Sequence, residues 1–147
     1  FILGCSQVEL VKADSKTIHD HIASFRGQKA VLLNIWATTC APCVEEFPMI
    51  VDLGKEIHDL EIVLVSADFD DNINEVIDFL NDHHVYRISY IKNEKDQPFI
   101  NGIHSTWTGS LPFTILFGKN SGEIVSYWEG KEQESKFRKH IQLAINE

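Results

Sequence analysis

The sequence predicts a single α/β domain in which helices flank a mixed central sheet, and three observations carry that prediction. Two continuous apolar runs, AVLLNI (30–35) and EIVLVSA (61–67), read as strands buried on both faces. Between them lies a stretch of helical spacing, so the pair forms a βαβ unit with parallel strands. Further on, FTILFG (113–118) and EIVSYW (123–128) flank KNSG, the signature of an antiparallel hairpin with a four-residue loop.

Each element follows in order. Val8 to Val11 reads as a short strand. Ser15 is expected to cap a helix whose apolar face is Ile18, Ile22 and Phe25, with Gly27 ending it. After the first buried strand, a helix is expected from about Cys43 to His58, with Phe47, Ile50, Val51 and Ile57 facing inward. Pro48 falls inside it and predicts a kink. After the second strand, Asp70 or Asp71 can cap a helix bearing Ile73, Val76, Ile77 and Leu80. Residues 84–111 are less regular, with one short helix expected near Gln97 to Ile103. The hairpin then leads into a last helix over 132–145, with Phe137, Ile141 and Ile145 on one face. This order matches a thioredoxin-like fold with an N-terminal extension and an insert ahead of Pro112, spanning 1–147 as one domain.

Composition narrows the function. The chain has 147 residues, 13 Lys+Arg against 22 Asp+Glu, and a net charge of −9. No basic patch emerges, which argues against nucleic acid as a partner. No run approaches the length of a membrane span. A chain of this size buries a core without disulfide staples, so its cysteines are free for chemistry. The chain opens on Phe1 rather than Met, and any targeting segment is expected upstream.

The chemistry concentrates in NIWATTCAPCVEEFP (34–48), where Cys40 and Cys43 form a Cys-x-x-Cys pair. A structural zinc site would need a second close pair of ligands, and the seven histidines supply no H-x(3–5)-H. Copper carriage is a better metal rival, since two thiolates and a distant His suit Cu(I). A peroxidase loop of the form Pro-x-x-x-Thr/Ser-x-x-Cys fails, because Leu33 and Ala37 hold the required positions. A binding module without chemistry would be expected to lose one cysteine, and both are present. Redox chemistry fits the placement. Cys40 falls between a strand and a helix, where unpaired N–H groups and the helix dipole stabilise a thiolate, the attacking species. Cys43, inside the first turn, suits a resolving thiol, and Pro42 starts the helix without wasting an N–H. Glu46 lies three residues beyond Cys43 on the same helix face, where a carboxylate can tune a thiol or exchange a proton with it; beside Glu45, it could equally be a solvated surface residue.

WATTCAPCVEEFP resembles the active-site segment of the TlpA/ResA-like thiol-disulfide oxidoreductases, a thioredoxin-superfamily branch. SKTIHDHIASFRGQKAVLLNIWA resembles the family's lead-in, VLVSADFDD its second strand and loop, and GSLPFTILFGKNSGEIV the segment carrying its cis-proline. The resemblance implies that Cys40 is the nucleophile, Cys43 the resolving cysteine and Pro112 the cis-proline. It implies that the Leu111 backbone binds substrate chain, that Trp36 shields one side of the site or simply packs the core, and that Glu46 works near the cysteines. No cofactor is implied beyond the redox-active Cys40–Cys43 disulfide. Thr39 replaces an aromatic residue common in relatives, Asn34 stands where thioredoxins proper bury an acid, and Phe113 alters the groove beyond the cis-proline.

Ala41-Pro42 offers no cation to stabilise the Cys40 thiolate further, which favours a reductase over an oxidase or isomerase. Family members commonly reduce protein disulfides outside the cytoplasmic membrane, apocytochromes c among them, and are re-reduced by a membrane electron donor. The expected setting is therefore the periplasm or cell envelope. Ile-Leu-Gly-Cys at 2–5 resembles the end of a bacterial lipobox, making Cys5 a candidate lipid anchor, the alternative being an ordinary strand cysteine. Trp107 and Tyr90 fall in the insert, where aromatics pack a loop or line a groove. Trp128 reads as core.

Overall fold

The computed structural model describes residues 7–147; Cys5 and its lipobox-like context lie outside the described residues. Six strands form one sheet: β1 (Glu9–Ala13), β2 (Ala30–Trp36), β3 (Leu60–Ser66), β4 (Ile88–Lys92), β5 (Phe113–Phe117) and β6 (Ile124–Glu129). Five α-helices flank it: α1 (Ser15–Ala23), α2 (Ala41–Glu56), α3 (Ile73–Asp82), α4 (Asp96–Ile103) and α5 (Glu134–Asn146). The spatial order is β1-β4-β3-β2-β5-β6. The β2 and β3 strands pair in parallel from Ala30↔Leu60 to Trp36↔Ser66, as the βαβ reading requires. The β5 and β6 strands pair antiparallel and join β2 through Ile35↔Phe113 to Val31↔Phe117.

The central strand β2 is buried along its whole length, and its alternation feeds two cores. Leu32 and Trp36 pack with Cys43, Phe47 and Ile50 of α2, Val76 and Leu80 of α3, and Phe137 and Ile141 of α5. Val31, Leu33 and Ile35 pack with Ile18 and Ile22 of α1, Phe99 and Ile103 of α4, and Trp107. The helices α1 and α4 touch at Gly102, where a Cβ would lie 2.1 Å from Ser15 Oγ.

Several expectations are corrected. Asp14, not Ser15, caps α1: its carboxylate accepts the Thr17 N–H at 2.8 Å, and Ser15 is the first helical residue. That helix ends at Ala23, four residues before Gly27, which sits at φ 81° and donates its N–H to the Lys119 carbonyl. Asp70 and Asp71 form a 3-10 turn, and Asn72 precedes α3 without a side-chain cap bond. The helix α2 starts at Ala41, two residues earlier than expected, and runs unbroken through solvent-facing Pro48. The irregular span holds a full strand, β4, which β1 joins in parallel through Glu9↔Ile88 to Ala13↔Lys92. Tyr90 belongs to that strand and to the core beside α1; Trp107 and Trp128 are buried as well.

Candidate active site

The site is assembled where β2 ends and α2 begins. After Trp36 the chain turns through Ala37–Thr39, and the Cys40 N–H bonds back to the Ala37 carbonyl at 3.1 Å. Cys40 is the N-cap residue of α2, in extended conformation, and Pro42 occupies the first turn. The positive end of the α2 dipole therefore lies at Cys40, which favours a thiolate there although its sulfur makes no capping hydrogen bond. Cys40 and Cys43 are joined as a disulfide, with Cα atoms 5.3 Å apart. Cys40 is half-buried, whereas Cys43 is 1% exposed and lies in the core beside Phe47. Ala41 and Pro42 are exposed between them. Of the two sulfurs, Cys40 is thus the one nearer the surface.

The Leu111–Pro112 peptide bond is cis, and Pro112 is buried. Half-buried Leu111 contacts both cores. Among the described residues its backbone N–H and carbonyl make no hydrogen bond, while its neighbours are held. Ser110 offers its carbonyl to Trp107 Nε1 at 2.9 Å, and the Pro112 carbonyl accepts from Gly130 N–H at 2.8 Å. Trp107 stacks on Phe113, with ring centroids 4.9 Å apart. On the outer side, the Thr108 N–H and hydroxyl donate to the Glu129 carboxylate. The segment ahead of the cis-proline is thus clamped from both sides.

Glu46 is no surface glutamate. It is 3% exposed, and its Oε2 accepts the Glu132 N–H at 3.1 Å. Asn34 Nδ2, which also donates to Thr114 Oγ1, lies 3.5 Å from Glu46 Oε1. Burial pushes the Glu46 carboxyl up to about 7, against the opposing pull of the Glu132 N–H, Asn34 and Lys131. Asn34 on β2 and Glu46 on α2 therefore share one buried polar pocket, with the acid supplied from the helix. Trp36 is fully buried against Phe47 and Phe79 in the same core as Cys43, and among the described residues its Nε1 has no hydrogen-bond partner.

One cluster had no role assigned from sequence, although Thr38 lies just before Cys40 and Ser66, Asp68 and Asn72 lie at or just beyond the end of β3. Asp68, 6% exposed, accepts from the Thr38 N–H at 3.0 Å, the Thr38 hydroxyl at 2.6 Å, Ser66 Oγ at 2.6 Å and Asn72 Nδ2 at 2.9 Å. Burial alone would raise its carboxyl, but these donors hold it below the ordinary carboxylate range. The cluster ties the turn before Cys40 to the end of β3. The usable signal was Ser66-x-Asp68 at a strand end opposite a threonine, a pattern with no single chemical meaning in sequence. Among the described residues, no group of three or more His, Cys, Asp or Glu side chains could hold a metal ion.

The comparisons with known proteins agree with this geometry. A family model described as thioredoxin-like matches residues 27–124. The thiol-disulfide oxidoreductase ResA of Bacillus anthracis is 25% identical over 114 residues, covering 77% of this chain and 62% of that protein. The chain thus spans less than two thirds of that relative's length. A crystal structure of a thioredoxin-family thiol:disulfide interchange protein from Chlorobium tepidum superposes with a TM-score of 0.67 at 22% identity, covering 83% of each chain. The exposed lipoprotein thioredoxin of Streptococcus pneumoniae gives a TM-score of 0.63 at 15% identity, covering 83% of this chain and 89% of the other. With the βαβ half, the hairpin and the Cys40–Cys43 pair all in place, the chain belongs to the thioredoxin-like family.

Proposed function

We propose that this chain is a thiol-disulfide oxidoreductase that reduces disulfides of other proteins through Cys40 and Cys43. The observation that carries the reading is the unequal placement of the two sulfurs: Cys40 half-buried at the α2 N-terminus, Cys43 enclosed behind it. In the reduced enzyme, the Cys40 thiolate attacks a substrate disulfide, forming a mixed disulfide and releasing one substrate thiolate. The Cys43 thiolate then attacks the Cys40 sulfur, which breaks the mixed disulfide and releases the second substrate thiolate. Two electrons pass to the substrate, and the enzyme is left with the Cys40–Cys43 disulfide. The Leu111 backbone holds substrate chain by strand-like hydrogen bonds next to Pro112. Glu46, with a carboxyl at about 7, takes the Cys43 proton as that thiol becomes a nucleophile.

A second dithiol donor must return the enzyme to its reduced form, and we assign that role to a membrane protein. The reaction is placed outside the cytoplasmic membrane, in the periplasm or cell envelope, with apocytochromes c as one substrate class. Support comes from the ResA relatives and the exposed-lipoprotein neighbour, and from the lipobox-like Ile-Leu-Gly-Cys that makes Cys5 an anchor candidate. The experiment is trapping. Cys43→Ser, reduced and mixed with a disulfide-bonded protein, accumulates a mixed disulfide through Cys40, detected by mass; Cys40→Ser does not. Equal trapping by both variants, or by neither, contradicts the assignment.

A further inference from the structure

At the far end of α2 from the cysteines lies a cavity of about 490 Å³, whose lining includes Val51, Ile57, Ile62, Leu64 and Val85. Its origin is a splay in the sheet. β3 pairs with β2 over seven positions, yet meets β4 only at Val65↔Tyr90 and Ser66↔Ile91. The lower half of β3 therefore lacks a strand on that side. His84, at φ 58°, turns the chain out of α3 so that Val85 to Ile88 border the gap. Gly54 lets Ile62 press against α2, since a Cβ there would lie 2.5 Å from Ile62 Cγ1.

The rim is basic in a molecule of net charge −9. Lys29, Lys55 and Arg87 line it against Glu56, which is already held by Arg138, while Lys29 and Arg87 both pair with Glu61 beside it. Lys55 makes no ion pair among the described residues. Arg87 contacts both Glu61 oxygens at 2.9 Å through Nη1 alone, leaving Nη2 and Nε able to donate. An apolar cavity of this size with a few convergent polar groups is the usual form of a small-molecule site, within a range of roughly 300–1,000 Å³.

We propose that this cavity binds an amphiphilic monocarboxylate, with its alkyl body against Ile57, Ile62 and Val85 and its carboxylate between Lys55 and Arg87. An arginine with two free donors presents the fork that a carboxylate fits, and Lys55 adds a point charge. The rest of the acidic surface repels an anion, so binding concentrates here.

The test is an amide-resolved NMR titration of the oxidised protein with octanoate, using 1-octanol as the uncharged control. The expected result is saturable shifts clustered at Lys55, Ile57, Val85 and Arg87. Losing one charge-assisted contact weakens binding about tenfold, the loss expected for octanoate with Lys55→Gln, and octanol, which gives up its charge toward both Lys55 and Arg87, should bind more weakly still. Lys55 is an exposed helix residue, so this variant keeps its fold, and its own spectrum verifies that. Arg87→Gln is a second variant with the same expected loss. Absence of saturable shifts, shifts scattered over the surface, or equal affinity for octanol overturns the proposal. Shifts of the same amides on diluting the ligand-free protein also overturn it, because they identify the occupant as a second copy of the chain.

Discussion

Replacing Glu46 with Gln separates a tuned buried acid from an ordinary surface glutamate. Glu46 keeps its ordinary carboxyl chemistry in the unfolded chain but titrates at about 7 once buried. The sign follows directly. A carboxyl raised in the folded state binds its proton more tightly there. The folded protein therefore keeps its full stability below the unfolded value of 4.5 and loses part of it as pH rises through about 7. Between those limits the ionised form costs about 3 kcal/mol, at roughly 1.4 kcal/mol for each pH unit between the two values. Gln has nearly the same shape and no charge to desolvate. Its carbonyl accepts the Glu132 N–H, and the Asn34 amide can turn to receive its NH2 group. The assay is urea unfolding of the oxidised protein at about pH 5 and about pH 8, comparing Glu46→Gln with the parent; because part of the loss is already present at about pH 5, the difference should move by about 2 kcal/mol in favour of Gln at the higher pH. A difference that does not change with pH would mean that the carboxyl titrates as it does in water and that burial does not raise it.

Three further outcomes are expected. Asp68→Ala strips the partner from four donors around the turn before Cys40 and should cost about 3 kcal/mol in urea unfolding, with slower attack by Cys40 on a disulfide substrate. Because the Asp68 carboxyl is held low, its stabilisation is present above the ordinary Asp range and fades as pH falls through its depressed value, so acid should narrow the gap between the variant and the parent. Trp107→Leu removes the ring stacked on Phe113 and the hydrogen bond to the Ser110 carbonyl; KM for a protein disulfide should rise more than kcat falls. Gly102→Ala drives a methyl into the Ser15 side chain between α1 and α4 and should cost about 1–3 kcal/mol by thermal or urea unfolding.

The elements that place the cysteines are readable in sequence for a physical reason. A strand buried on both faces must be largely apolar, and β2 and β3 are, interrupted by Asn34 in β2 and by Glu61 and Ser66 at the ends of β3. A helix between them has to bury one stripe, and Phe47 and Ile50 mark it. What escapes notice is β4. Its burial is carried partly by Ser89 and Lys92, polar residues that break the apolar signal. Ser89 is accommodated because its hydroxyl donates to the Leu64 carbonyl, and Lys92 because it pairs with Asp96. Neither partner can be named before the fold is known. The Asn34–Glu46 pocket divides the same way. Helical spacing puts Glu46 on the Cys43 face, but its burial depends on the Glu132 N–H, far along the chain. The Asp68 cluster likewise joins residues from two loops that only the parallel pairing of β2 and β3 brings together.

Whether Cys40 and Cys43 form a reducing couple is read from their equilibrium potential. Alkylation trapping of the protein in graded thiol/disulfide buffers reads it. The exposed Ala41-Pro42 pair adds no cation to favour the thiolate, so the expected value lies near the thioredoxin end, roughly −240 mV or lower. A value above about −150 mV would contradict it and make the protein a donor of disulfides.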